Sequence, residues 1–142
     1  MTSPFDEELA GLAEEREPYD EAVATLLELA DAIQSQVFAG VKNAEVNVTP
    51  GHTVNMGQQY KVQVRIVDDR NQPHAAYNDT LFRAYIPLEG YPAVIDLFGE
   101  EKRKCKNKKE LLEALKVVLR DKAFQLRLRS LRTLAVHQVT GG

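Results

Sequence analysis

The strongest constraint on the fold lies near the carboxyl end, where two apolar stripes cannot belong to one straight helix. The first stripe has helical spacing and consists of Leu111, Leu112, Leu115, Val118 and Leu119. The second consists of Phe124, Leu128, Leu131 and Ala135. Successive helical residues turn by about 100°, so the second stripe would fall almost opposite the first. The sequence therefore predicts two helices, with a break near Asp121.

Capping residues support both helices. Asn107 followed by Glu110 forms a capping box, so we expect the first helix to begin there. The second is predicted from about Lys122 to Val136, with Asp121 as its cap. A fifth strand is the competing interpretation, because Phe124, Leu126 and Leu128 alternate with Gln125, Arg127 and Arg129. That alternation fails at Ser130-Leu131, which favours the helix.

The middle of the chain has the two-residue apolar period of β-strands. It predicts strands over about 44–48 (ending at Thr49-Pro50-Gly51), 60–66, 80–86 and 91–98. The third would place Phe82, Ala84 and Ile86 on one face and Leu81, Arg83 and Tyr85 on the other. The connections are too short for parallel crossovers, so we expect an antiparallel meander.

The amino-terminal part predicts one long helix, from about Pro18 to Ala39. Its apolar stripe is continuous, and Gly40 follows in a position that suits a left-handed cap. Residues 1–17 form an acidic arm or a short helix, and residues 138–142 a disordered tail. The predicted fold is a single α+β domain over 18–137: a helix, a four-stranded antiparallel meander, and two carboxyl-terminal helices packed on one face of the sheet.

Charge is distributed unevenly along the 142 residues, whose formal net charge is -3. Residues 1–41 hold ten acids and one base, whereas 102–132 hold twelve lysines or arginines and three acids. Cys105 is the only cysteine, the first residues lack the basic character of a targeting peptide, and no apolar run has the length of a membrane span. We therefore expect a cytoplasmic protein without a membrane partner.

The sequence contains no recognisable catalytic, metal or cofactor motif. His52, His74 and His137 lack the spacing of a metal site, and the glycines form no phosphate-binding loop. Cys105 lies among lysines and arginines, which would lower the pKa of its thiol and give it some reactivity. No positioned base accompanies it, so we expect an ordinary cysteine at a strand end and a chain that is not an enzyme, without cofactor or metal.

The favoured function is non-catalytic protein binding through complementary charged surfaces, as in a small adaptor, chaperone-like or immunity-type protein. The partner would be another protein or a second copy of the chain, with Tyr85 and Tyr91 as apolar anchors. The predicted binding residues are all basic: Lys104, Lys106, Lys108, Lys109, Lys122, Arg129 and Arg132.

The alternative is a nucleic-acid-binding module that uses the basic 102–132 region, which carries enough cations to neutralise several phosphates. The order of a helix, antiparallel strands and a helix that starts with Lys108-Lys109 resembles double-stranded RNA-binding domains. The chain departs from that family in its extra strand and its acidic first helix. The negative total charge favours the protein-binding interpretation.

Overall fold

The predicted α+β architecture is confirmed, with one short strand added to the sheet. The computed structural model describes residues 4–9, 17–54, 56–68, 72–97 and 102–140. The helices are α1 (Asp6–Leu9), α2 (Glu17–Val37), α3 (Lys108–Arg120) and α4 (Lys122–Thr140). The strands are β1 (Ala44–Val54), β2 (Gly57–Asp68), β3 (Gln72–Pro87), β4 (Ala93–Asp96) and β5 (Arg103–Cys105).

The five strands form one antiparallel sheet in sequence order, β1-β2-β3-β4-β5. Alternation along β2 buries Val62, Val64 and Ile66 on the face that the helices cover. The side chains between them are only partly buried or exposed on the other face. Strand β5 was not predicted, because three residues are too few to show a period. It forms the edge of the sheet beyond β4.

The predicted limits of β1, β3 and β4 are wrong. Strand β1 does not end at Thr49-Pro50-Gly51: a register shift between Pro50 and Thr53 absorbs the irregular residues, and pairing with β2 resumes. Strand β3 starts at Gln72, well before the expected Thr80. Strand β4 is shorter than predicted, at Ala93–Asp96. The strand order and the antiparallel pairing stand as expected.

The predicted faces of β3 are also wrong at Leu81. Val62 pairs with Phe82 and Gln63 pairs with Thr80, so Leu81 is an extra residue in a β-bulge. Leu81 is 1% exposed and joins the core, although the alternation placed it on the outer face. Side chains alternate strictly between the two faces of a strand. The extra residue therefore moves each earlier side chain of β3 to the opposite face of the sheet.

Helix α2 confirms the predicted long helix within two residues at each end. Gly40 has a φ of 76°, the left-handed conformation expected after the helix. The start of α2 lies against the turn between β3 and β4. There a Cβ on Gly90 would come within 2.4 Å of the Pro18 carbonyl carbon, so only glycine permits this approach. Of the predicted acidic arm, the structure describes one helical turn, α1, whereas residues 1–3 and 10–16 lie outside the described residues.

The break between α3 and α4 is confirmed at Asp121, whose Oδ2 accepts a hydrogen bond from the Phe124 amide at 3.0 Å. The second apolar stripe is buried, at 0–5% exposure: Phe124, Leu128, Leu131 and Ala135. The alternative fifth strand over these residues is therefore wrong, because the segment is helical. Helix α4 continues to Thr140, four residues past the predicted end.

One core joins α2, α3, α4 and the inner face of the sheet. Its largest fully buried side chains include Phe38, Phe82, Leu26, Ile66 and Leu111. Each of the three helices contacts the sheet as well as the other two helices, so together they form the layer that covers its inner face. Among the described helices, none combines the length and the apolar character needed to cross a membrane.

Candidate functional site

An open cleft of about 650 Å³ lies between the edge strand β5 and helix α3. All three residues of β5 line it, together with the first turns of α3. The lining residues are Arg103, Lys104, Cys105, Asn107, Lys109, Glu110, Glu113 and Ala114. We call this feature the β5–α3 cleft; two of the predicted binding residues, Lys104 and Lys109, line it directly.

The capping box predicted from Asn107 and Glu110 shapes one end of the cleft. The Asn107 Oδ1 accepts a hydrogen bond from the Glu110 amide at 2.9 Å. In return the Glu110 carboxylate accepts one from the backbone amide of Lys106 at 2.8 Å, one residue before the usual position. These bonds fix the turn from β5 into α3, so the cations on either side of it keep a defined arrangement.

The lining of the cleft carries more cations than acids, three against two. Glu110 serves the cap, and Glu113 lies 3.9 Å from the Nζ of Lys116 on the next turn of α3. Arg103, Lys104 and Lys109 have exposed side chains and form no ion pair with another described residue. Three cations therefore line the cleft without an internal partner, and they attract negative charge from outside.

The expected lowering of the pKa of the Cys105 thiol is wrong. The side chain is 1% exposed, and its Sγ lies inside the core on the inner face of β5. Burial raises the pKa of the Cys105 thiol, Glu110 raises it further, and Arg103 alone opposes them. Lys104, the neighbour of Cys105 within β5, points to the opposite face because side chains alternate along a strand. Cys105 is the last residue of β5, a strand that was not predicted.

The structure separates the predicted binding residues into two surfaces. Lys104, Lys106, Lys108 and Lys109 are exposed at β5 and the start of α3. The other three are exposed on α4, which begins after α3 has ended. We call Lys122, Arg129 and Arg132 the α4 basic row. The single basic region predicted from the sequence is therefore two regions.

Arg127 is basic but structural. Its guanidinium donates to both carboxylate oxygens of Asp79, with Nε to Oδ2 at 2.9 Å, and to the carbonyl oxygens of Thr80 and Leu81. Asp79 lies opposite Val64 and so faces α4, because the bulge at Leu81 reverses that part of β3. Periodicity alone assigns Asp79 to the outer face, so sequence reasoning could not find this pair.

The two tyrosines expected as anchors already have roles inside the molecule. The Tyr91 hydroxyl donates to a Glu21 carboxylate oxygen at 2.8 Å. Burial, this hydrogen bond and the charge of Glu21 together raise the pKa of Tyr91. Tyr85 is half-buried, and its ring covers Gly57, where an added Cβ would come within 2.5 Å of the hydroxyl oxygen. Both tyrosines help to fix the sheet end rather than project from it.

The histidines with described side chains do not meet in the β5–α3 cleft. His52 and His137 are exposed and do not line the cleft, and the His74 side chain lies outside the described residues. Among the described residues, no three His, Cys, Asp or Glu side chains are grouped so as to hold a metal ion.

Comparisons with protein-family models, with curated proteins and with solved structures gave no match for this chain. The similarity of element order to double-stranded RNA-binding domains therefore has no structural match behind it.

Proposed function

We propose that this chain is a non-catalytic protein-binding module, of the small adaptor, chaperone-like or immunity type, whose β5–α3 cleft takes an acidic, extended segment of another protein. The observation that carries the proposal is a set of three cations that form no ion pair with another described residue and lie at β5, the last strand of the described sheet: Arg103, Lys104 and Lys109.

The edge strand supplies a mode of binding. Within the described parts of the chain, β5 pairs with β4 alone, and an edge strand presents a row of unpaired backbone N–H and C=O groups. An extended peptide that adds to such an edge gains main-chain hydrogen bonds, and a neighbouring groove selects its side chains. In this protein, α3 provides the second wall of that groove.

The cations on β5 also give a reason for an acidic segment to be preferred over other extended segments. Short strands with lysine side chains discourage pairing with ordinary strand edges. An acidic segment can still pair with this edge, because its carboxylates lie close to the cations and are attracted to them. Exposed ion pairs contribute only about 0.2–1 kcal/mol each, so the charges select the partner and the main-chain bonds hold it. We therefore expect binding that weakens as salt increases.

The buried thiol supports a role without chemistry. Cys105 is the lining residue that resembles a nucleophile most, and it is buried with a raised pKa. A catalytic cysteine instead requires an accessible thiolate. Cys105 forms no disulfide, which is consistent with the reducing cytoplasm that we propose as the location of the protein.

The proposal can be tested with a blocked six-residue peptide in which glutamate alternates with valine, labelled for fluorescence anisotropy. We expect saturable binding at 50 mM salt that weakens at 300 mM, and weaker binding of the same peptide with lysine in place of glutamate. A variant with Arg103→Glu, Lys104→Glu and Lys109→Glu should bind the acidic peptide at least tenfold more weakly.

The α4 basic row offers a control with the same change in charge. The triple variant Lys122→Glu, Arg129→Glu, Arg132→Glu should bind the peptide within about twofold of the original protein. Equal losses in the two variants, or no binding of the acidic peptide at millimolar concentration, would reject the cleft as the binding site.

The rival function is nucleic-acid binding by the basic 102–132 region, and the exposed cations of both surfaces favour it. A 20-base-pair RNA duplex and its DNA equivalent test it in the same assay. Tight duplex binding that falls steeply with salt and is lost in both triple variants would replace the proposal by its rival. We expect no such binding, since the chain as a whole is acidic.

A further inference from the structure

We propose that a second copy of this chain docks on the outer side of the helical layer, with α2 of each copy against α4 of the other. This surface is separate from the β5–α3 cleft, so it neither needs nor excludes the peptide-binding function.

The outer side of α2 is acidic around one exposed leucine. Asp20, Glu28 and Asp31 are exposed and form no ion pair with another described residue. Leu27 lies between Asp20 and Asp31 on the same side of the helix and is 47% exposed. The acids span about 16 Å along the helix axis.

The outer side of α4 is the positive counterpart. Leu126 is 60% exposed and lies between Lys122 and Arg129 on the side away from the core. Arg132 extends the α4 basic row, which spans about 15 Å. Each helix therefore presents an isolated leucine within a row of like charges, with opposite signs and closely similar lengths on the two helices.

The placement of the two helices allows both contacts to form at once. Helices α2 and α4 touch each other in the same layer. Both run towards the start of β1: the Gln34 side chain bonds the Ala44 carbonyl and the Val46 amide, and Asn43 bonds the Ala135 carbonyl. A two-fold axis parallel to the helices would thus place α2 over the α4 of the partner copy, twice.

The two leucines lie at similar heights in the layer. Leu27 is seven residues before Gln34, and Leu126 is nine residues before Ala135, which corresponds to about 10 Å and 13 Å from the same end. In such a dimer each Leu27 therefore meets a Leu126 of the other copy, surrounded by opposite charges. A desolvated apolar centre with a charged rim is the common arrangement of a protein interface.

A charge exchange tests this directly. One variant carries Asp20→Lys, Glu28→Lys and Asp31→Lys, and the other carries Lys122→Glu, Arg129→Glu and Arg132→Glu. In sedimentation velocity at 50 mM salt, we expect the original protein to form dimers that dissociate at 500 mM salt. Each variant alone should be monomeric, because its two helices now carry the same sign, and an equimolar mixture should restore the dimer.

Leu126→Glu gives a second test that changes one exposed side chain only, and it should weaken the dimer at least tenfold. A protein that stays monomeric at every salt and concentration overturns the proposal, as does either charge variant that dimerises alone as well as the original. Monomers whose α4 basic row instead binds the RNA duplex would assign this surface to nucleic acid. The α4 triple variant leaves the residues of the β5–α3 cleft unchanged. Peptide binding by this variant therefore tests the cleft independently of the dimer.

Discussion

The two sides of α4 use similar residues for different purposes. Arg127 bonds Asp79 and two carbonyl oxygens of the β3 bulge, whereas Arg129, two residues later, is exposed and pairs with no described residue. Phe124 packs in the core against Phe82, with ring centroids 6.4 Å apart, whereas Leu126 is 60% exposed. A basic or apolar composition therefore does not separate the structural side chains of α4 from the exposed ones; the direction in which each side chain points does.

The largest difference in stability is expected between variants of Phe124 and Leu126, a buried and an exposed apolar residue of α4. Phe124→Ala removes a side chain that is 5% exposed and leaves a cavity, so it should lower the free energy of unfolding by about 3 kcal/mol. Leu126→Ala should change it by less than about 0.5 kcal/mol. Urea unfolding followed by circular dichroism measures both. Similar losses in the two variants would contradict the orientation of α4.

The next largest difference in stability is expected between variants of Arg127 and Arg129. Arg127→Gln leaves the Asp79 carboxylate, whose side chain is 17% exposed, without its cation and should lower the free energy of unfolding by about 2 kcal/mol. Arg129→Gln, the matched control, should change it by less than about 0.5 kcal/mol. If Arg127→Gln were as mild as its control, the pair would add nothing to stability.

The smallest effect is a pH-dependent one at Tyr91. The folded pKa of its hydroxyl is raised above the ordinary value of about 10, so the unfolded chain loses this proton first as pH increases. The stabilising contribution is therefore complete below pH 10 and declines above it. Tyr91→Phe should cost about 1 kcal/mol at pH 8, and this difference should shrink by pH 11.

Urea unfolding of both proteins at pH 8, 10 and 11 checks the Tyr91 prediction. Other titrating groups cancel in the difference between the two proteins. A difference that is constant over this range would mean that the hydroxyl is not held by Glu21.

Part of this fold could be read from the sequence because it depends on local periodicity. The opposed stripes of 107–136 required a break, and Asp121 was the residue available to cap the second helix. Alternation along β2 gave its buried face, and the helical stripe gave α2 within two residues. These features follow from neighbours three or four residues apart, or two apart in a strand, so no long-range information was needed.

The remainder depended on contacts between distant segments. One extra residue at Leu81 turned Asp79 towards α4, and only then did Arg127 acquire its partner. Strand β5 exists because β4 pairs with it, and the cleft exists because α3 returns beside that strand. The sequence showed that the basic residues of the candidate site form a group. It did not show that some of them belong to the β5–α3 cleft and others to the α4 basic row.

The most direct test of the proposed function is amide hydrogen exchange, followed by NMR, with and without the glutamate–valine peptide. If the peptide adds to the sheet edge, exchange of amides in Arg103–Cys105 that face the free edge should slow at least tenfold, and the α4 basic row should be unaffected. A bound peptide that protects α4 instead, or leaves β5 unchanged, would contradict the central claim that the β5–α3 cleft is the binding site.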